Sequence, residues 1–161
     1  MDTHASLMIF QAICFLGFSL WLSIALINNL HAFSSSVAAV GATMAMAPLR
    51  QPPVIDFPLL ARALSSPTLH RLVLVVIVLL QAMAALAAWA GCYELLLGGD
   101  PDAARAWLNL ALSAALAFLF GMLLGGLWFG YWIRQEGLQL THLVLVIWVL
   151  LNFLVLNLRW V

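Results

Sequence analysis

Residues 69–91 read LHRLVLVVIVLLQAMAALAAWAG, an apolar run whose one charged side chain is Arg71 at its entrance. A helix rises about 1.5 Å per residue, so about 20 apolar residues cross the hydrocarbon of a bilayer. A helix also satisfies its backbone hydrogen bonds internally, which a lipid environment demands. The run therefore predicts a transmembrane helix over about 69–91.

Three further apolar stretches predict the same structure. They cover about 7–30, 107–131 and 140–158, and none of them contains Asp, Glu or Lys. Each is long enough to span the bilayer. The sequence thus predicts an all-α membrane protein in which residues 1–161 form a single membrane domain, a bundle of four transmembrane helices.

The composition of the whole chain agrees with this fold class. Of the 161 residues, 66% are hydrophobic and 7% are charged, whereas a soluble domain usually has about 25% charged residues. The lipid bilayer is therefore the expected surroundings for most of the surface. Six basic and six acidic residues give a net charge of zero, and without a basic patch nucleic acid is not an expected partner.

The connections between the predicted helices differ in length. Residues 31–68 form a long loop, and VAAVGATMAMA at 37–47 predicts a short interfacial helix or a loop packed on the end of the bundle. The connection over 132–139 is short, so the last two helices should be antiparallel neighbours. Asp100 followed by Pro101 is typical of a helix start, with the acid as cap and the proline in the first turn.

Three histidines lie at predicted helix ends on one side of the membrane: His31, His70 and His142. If they meet at one membrane face, their imidazoles could contact haem or a metal, or relay protons near a quinone. The alternative is that they are interfacial rings that hydrogen-bond headgroups or loops. No HxxH or HExxH spacing occurs, so we predict no metal site, and the sequence requires no cofactor.

Amide side chains extend this candidate polar cluster. Asn28 and Asn29 stand at the exit of the first predicted helix, where Asn can cap a helix through a left-handed turn and anchor the loop that follows. Gln81 lies near the middle of the second predicted helix, and polar side chains in lipid usually join helices to one another. The cluster is either structural or binds the polar group of a ligand.

The third predicted helix carries two pairs of glycines spaced four apart, Gly121 with Gly125 and Gly126 with Gly130. Small residues at this spacing let another helix approach closely. They predict a packing face for a helix of this chain or of another subunit. The alanines at 111, 114 and 115 are expected to extend that face.

Patterns typical of enzymes and pumps do not occur in this sequence. It contains no Ser–His–Asp arrangement, no paired carboxylates and no phosphate-binding loop, so we predict no catalytic residues and a protein that is not an enzyme. The predicted spans hold no acidic side chain and no lysine. Buried charges usually mark ion-coupled transport, and their absence argues against a pump or a secondary transporter.

Several short motifs occur in the order found in one bacterial family. They are Asn28-Asn29, then Ser66-Pro67-Thr68-Leu69-His70, and then Gly125-Gly126-Leu127-Trp128-Phe129. With them the chain resembles, over nearly its whole length, a family known only as "predicted small integral membrane protein", a domain of unknown function. The resemblance implies a multi-pass protein of the bacterial inner membrane, with a long exported loop after the first helix and cytoplasmic termini. It implies no activity, cofactor or catalytic residue.

Together these features favour an accessory or structural subunit of a larger membrane complex, possible settings being respiratory or redox assemblies. Other membrane protein subunits would then be its partners. Two alternatives stay open: a stand-alone binder or carrier of a hydrophobic small molecule such as a quinone, haem or lipid, and a small channel or transporter.

Overall fold

The computed structural model describes residues 3–56 and 58–158, and every regular element in this part of the chain is helical. The α-helices are α1 (Thr3–His31), α2 (Phe33–Met44), α3 (Pro67–Tyr93), α4 (Pro101–Trp128) and α5 (Glu136–Asn157). Four of them, α1, α3, α4 and α5, are long and apolar enough to cross a membrane. The predicted all-α class with four potential spans is confirmed.

The long helices begin and end a few residues away from the predicted bounds. α4 starts at Pro101, before the predicted span over 107–131 and at the helix start predicted from Asp100 and Pro101. Oδ1 of Asp100 caps it by accepting hydrogen bonds from the N–H groups of Asp102 and Ala103 at 3.1 and 3.0 Å. It ends at Trp128 because Gly130, with φ of 68°, turns the chain into the short 3₁₀ helix Tyr131–Ile133. Hydropathy marks the apolar part of a helix, whereas capping marks its ends.

The connection over residues 31–68, predicted as a long loop, is largely helical. α2 starts directly after Ala32, whose φ of −101° and ψ of 34° interrupt the helix that began as α1. Two short 3₁₀ helices follow, Ala47–Arg50 and Pro58–Arg62. The short helix expected over 37–47 is therefore present as α2, which begins earlier, at Phe33, and ends at Met44.

α3 is the central helix of the bundle, because it packs against α1, α2 and α4, while α5 packs mainly against α4. Small residues let α3 and α4 approach closely: a Cβ added to Gly91 would lie 2.6 Å from Cγ of Leu108. α4 and α5 are antiparallel as predicted, since Asn109 near the start of α4 meets Asn157 at the end of α5.

A second, smaller core covers the end of the bundle that carries Arg71 and Arg134, called here the Arg71 end. Met44, Met46 and Leu49 pack there against Phe129. Arg134 fixes this segment by donating hydrogen bonds to the carbonyl oxygens of three residues, Pro48, Gln51 and Pro53. The proline-rich connection is thus tied to the α4–α5 corner.

Candidate functional site

A chain of hydrogen bonds, called here the amide bridge, joins α1, α2 and α3 through Ser36, Asn29 and Gln81. Nδ2 of Asn29 donates to Oε1 of Gln81 at 2.9 Å, and Oγ of Ser36 donates to Oδ1 of Asn29 at 3.1 Å. Gln81 is 4% exposed. Both ends of the Asn29 amide are therefore engaged, and the junction between α1 and α2 is fastened to α3.

The amide bridge lies near the middle of the apolar length of α3. Gln81 stands ten residues from Arg71 and thirteen from Glu94, the charged residues that bracket α3, or about 15 and 20 Å along the helix axis. These distances match the two halves of a hydrocarbon layer about 30 Å thick. Asn29 contacts Gln81, so the end of α1 lies beside the middle of α3, and α2 continues alongside the first half of α3.

His31 does not join the other two histidines at a membrane face. It follows Asn29 by two residues, so it lies beside the middle of α3, and its side chain is exposed. The predicted grouping of His31 with His70 and His142 fails because α1 stops halfway along α3. Among residues 3–56 and 58–158, no group of three or more His, Cys, Asp or Glu side chains is arranged to hold a metal ion.

His70 holds α2 and the preceding turn against α3. Its ring is buried, and Nε2 lies 2.9 Å from the carbonyl oxygen of Leu64. The other side of the ring faces Gly41 of α2, where an added Cβ would lie 2.6 Å from Nδ1. These contacts give His70 a structural role, which was the alternative that the sequence left open.

His142 lies beside Tyr131, with the two rings stacked at 6.0 Å between centroids and 23° between planes. Both are buried, and neither Nδ1 of His142 nor the hydroxyl of Tyr131 has a hydrogen-bond partner in the described part of the chain. Burial raises the pKa of the Tyr131 phenol, so it remains a hydrogen-bond donor. Buried polar atoms of this kind are commonly satisfied by ordered water.

Asn28 and Asn29 do not cap α1 through a left-handed turn. α1 continues past both of them to His31, and the N–H of Ala32 donates to the carbonyl oxygen of Asn28 at 2.9 Å. Among the described non-glycine residues, only Met46 has a positive φ. The expectation that the pair anchors the following segment holds for Asn29 alone, through Ser36.

The four glycines of α4 and its end do not form one face. The Tyr131 ring lies against Gly126, where an added Cβ would be 2.6 Å from Cδ2, and Gly130 makes the turn after α4. Gly121 and Gly125 point away from the bundle, with no atom within 4 Å of an added Cβ. The alanines expected to extend this surface are instead in the core: Ala111, Ala114 and Ala115.

A different set of small residues continues the outward line of Gly121 and Gly125. It is called here the α4 stripe and consists of Ser113, Ala117, Gly121 and Gly125. The first three are exposed and Gly125 is half-buried. Their regular spacing of four places them on one side of the helix. The spacing is visible in the sequence, but only the structure shows which small residues face outward.

A groove of about 330 Å³ lies between α1 and α3 on the outside of the bundle. Nε1 of Trp89 donates to Oγ of Ser23 at 3.0 Å across it, and its other walls are apolar. None of the candidate polar residues named from the sequence lines it. The groove sits among lipid-facing side chains such as Leu86, which is 73% exposed.

Two further polar contacts hold the helices together, through residues outside the candidate polar cluster. Asn109 and Asn157 exchange hydrogen bonds between α4 and α5 at 3.1 and 2.9 Å. Gln11 of α1 donates to the carbonyl oxygen of Val155 of α5 at 3.0 Å. Each residue was visible as a polar side chain in an apolar stretch, but the choice of partner depends on helix packing.

One comparison with known proteins gives a match. The family model described as "Predicted small integral membrane protein (DUF2165)" matches residues 7–159 of the chain. No curated protein and no solved structure matches.

Proposed function

Since the chain belongs to the family of predicted small integral membrane proteins, we propose that it acts as a non-catalytic accessory subunit of a larger membrane complex. Its setting would be the inner membrane of a bacterium, with cytoplasmic termini. The α4 stripe is the observation that carries this proposal. It supplies a surface through which a small membrane protein with little mass outside the bilayer can bind another one.

The geometry of the stripe suits a transmembrane helix as the partner. Ser113 and Gly125 are twelve residues apart, so the stripe runs about 18 Å along α4, more than half of the hydrocarbon thickness. Bulky exposed side chains, Phe120 and Leu124, lie beside it. Small residues between bulky ones form a shallow depression on the surface of α4. A second helix can pack closely there and make more van der Waals contacts than lipid chains do.

A place in a redox complex has less support than the role as a subunit. It depended on three histidines at one membrane face, and His31 lies away from the other two. His70 is engaged with Leu64 and packed on Gly41. We therefore propose a structural partner helix and assign no haem or quinone contact to these side chains.

The test replaces both outward glycines, Gly121 and Gly125, by leucine, whose side chains fill the depression on α4. We expect Gly121→Leu with Gly125→Leu to release the chain from its complex in a native gel of mild-detergent extracts, because the bulky side chains keep the partner helix away. Gly17→Leu on α1 is the matched control, since it also faces open space. His70→Ala should disturb assembly less than the glycine pair.

Two results would count against the accessory role. One is that the glycine variant co-migrates with the same chains, identified by mass spectrometry, as the unmodified protein. The other is that the unmodified protein runs alone at every detergent concentration that preserves its fold.

A second candidate function is supported by the groove between α1 and α3. Its volume of about 330 Å³ is at the lower limit of small-molecule pockets, and its apolar walls suit an aliphatic chain held in the membrane. In that case the protein would be a binder of a hydrophobic small molecule. Extraction of the purified protein should then yield one lipid or isoprenoid species at stoichiometric amount, and Ala85→Phe, which fills the groove, should abolish its retention.

A further inference from the structure

Four polar side chains form an outward face where α1 meets α2. This polar face consists of Asn28, His31, Ser34 and Ser35, all of them exposed. Within residues 3–56 and 58–158, the structure shows no hydrogen bond from any of these side chains. Their neighbours Asn29 and Ser36 are engaged in the amide bridge. Polar side chains on the inner side of the α1–α2 junction are therefore hydrogen-bonded, while those on the outer side have no hydrogen-bond partner in the described residues.

Relative to α3, whose apolar length matches the hydrocarbon thickness, the polar face lies inside the hydrocarbon layer and not at the headgroups. Asn29 marks mid-depth through its contact with Gln81. Gly41, twelve residues further along, meets His70, which lies eleven residues from Gln81 at the Arg71 end. The segment from Asn29 to Gly41 and the segment from Gln81 to His70 are about 18 and 16 Å long. The α1–α2 segment therefore runs alongside α3 over the same length. Residues 28–35 thus fall between the bilayer centre and the Arg71 end.

Unpaired hydrogen-bonding side chains at this depth are unfavourable, because lipid tails offer them no donor or acceptor. Headgroups lie too far away for short side chains such as those of Asn28 and Ser35 to reach. The polar face is therefore expected to contact a protein surface that carries hydrogen-bonding groups at the same depth. A purely apolar helix would not relieve the cost.

The chemistry of the face favours a second copy of the same chain. Amide and hydroxyl groups each carry both a donor and an acceptor, so the face can pair with itself across a twofold axis. It has no carboxylate and no guanidinium group. Ala38 and Ala39, the next exposed positions along α2, are small enough to permit close approach.

We propose that two copies of this chain associate through Asn28, His31, Ser34 and Ser35, which exchange hydrogen bonds across the contact. The contact is independent of the proposed function, since the α4 stripe lies on another helix and α3 packs between α1 and α4. A dimer built this way leaves both α4 stripes free. Each copy could thus bind a partner helix of its own.

The first test is cysteine cross-linking of the full chain in native membranes, with Cys14→Ala and Cys92→Ala in the background. Ser35→Cys should give a product of twice the chain mass with a short bismaleimide. Val144→Cys, on the outer surface of α5 and 54% exposed before substitution, is the matched control and should not. A failure of Ser35→Cys to dimerise, although it reacts with a hydrophobic monomaleimide, overturns the proposal, and so does a product joined to a different chain.

The second test measures the association directly in liposomes of phosphatidylethanolamine and phosphatidylglycerol. Energy transfer between labelled copies should report a dimer whose dissociation constant rises about tenfold in Asn28→Leu with His31→Leu. Both side chains point outward, so the variant should retain its fold and its thermal transition. An unchanged dissociation constant in a folded variant would show that the polar face is not the contact.

Discussion

At the scale of single residues, whether a polar side chain is hydrogen-bonded depends on the residue that faces it from a neighbouring helix. Gln81 of α3 and Asn29 of α1 are hydrogen-bonded to each other, while Asn28, one residue away on α1, faces outward. The sequence identified all three as unusual, because amides in an apolar stretch are rare and costly. It did not separate the paired residues from the unpaired one, since a rotation of about 100° per residue around the helix decides that.

The amide bridge should be measurable as a coupling between two residues. In a double-mutant cycle with Asn29→Ala and Gln81→Ala, we expect a coupling energy of about 0.6–2 kcal/mol, because either change removes the same hydrogen bond. The measurement is the free energy of unfolding in mixed micelles. As the control, Asn29→Ala and Asn152→Ala should be additive, since Asn152 donates only to the carbonyl oxygen of Trp148 in its own helix. An additive Asn29–Gln81 pair would contradict the bridge.

At the scale of helices, α2 is the element whose packing partners hydropathy alone does not give. A short apolar helix after a full-length span is typical of an interfacial segment, yet α2 lies along the first half of α3. Two contacts account for this position: the amide bridge at the start of α2, and Gly41 against the His70 ring near its end. Neither contact can be read from the period or composition of the α2 sequence.

Gly41 should be intolerant of even a methyl group. We expect Gly41→Ala to lower the free energy of unfolding by about 1–3 kcal/mol, because the added Cβ overlaps a ring that Leu64 holds in place. Gly17→Ala, with open space around it, should be neutral or slightly stabilising, since alanine favours the helix. Thermal unfolding in detergent compares the two, and His70→Ala should rescue Gly41→Ala. Equal effects at both glycines would mean that α2 is not packed as described.

At the scale of the whole molecule, four potential spans place the start of α1 on the same side as the connection between α3 and α4. Arg105 lies in the first two turns of α4, whereas Arg50, Arg62, Arg71 and Arg134 lie at the Arg71 end. Family resemblance implies cytoplasmic termini, and our proposal follows it. The outward α4 stripe and the polar face then lie on different helices of one small bundle.

The proposed orientation predicts a difference in chemical access between two exposed positions. In the cysteine-free background, Ser65→Cys should react with a membrane-impermeant maleimide on spheroplasts. Asp102→Cys should react only after the membrane is permeabilised, because the two positions lie at opposite ends of the bundle. Labelling in the reverse order would mean that the termini face outward, and labelling of both on intact spheroplasts would contradict four spans.

The sequence by itself determined the membrane class, the four long apolar helices, the helix start at Asp100 and the antiparallel order of α4 and α5. These follow from properties of consecutive residues: the length of an apolar run, a cap beside a proline and a short connection. The tertiary structure decided the depth of α2, the separation of His31 from His70 and His142, and which glycines face outward. Those features depend on how far each helix is rotated and shifted against its neighbours, which packing between helices sets and no local pattern encodes.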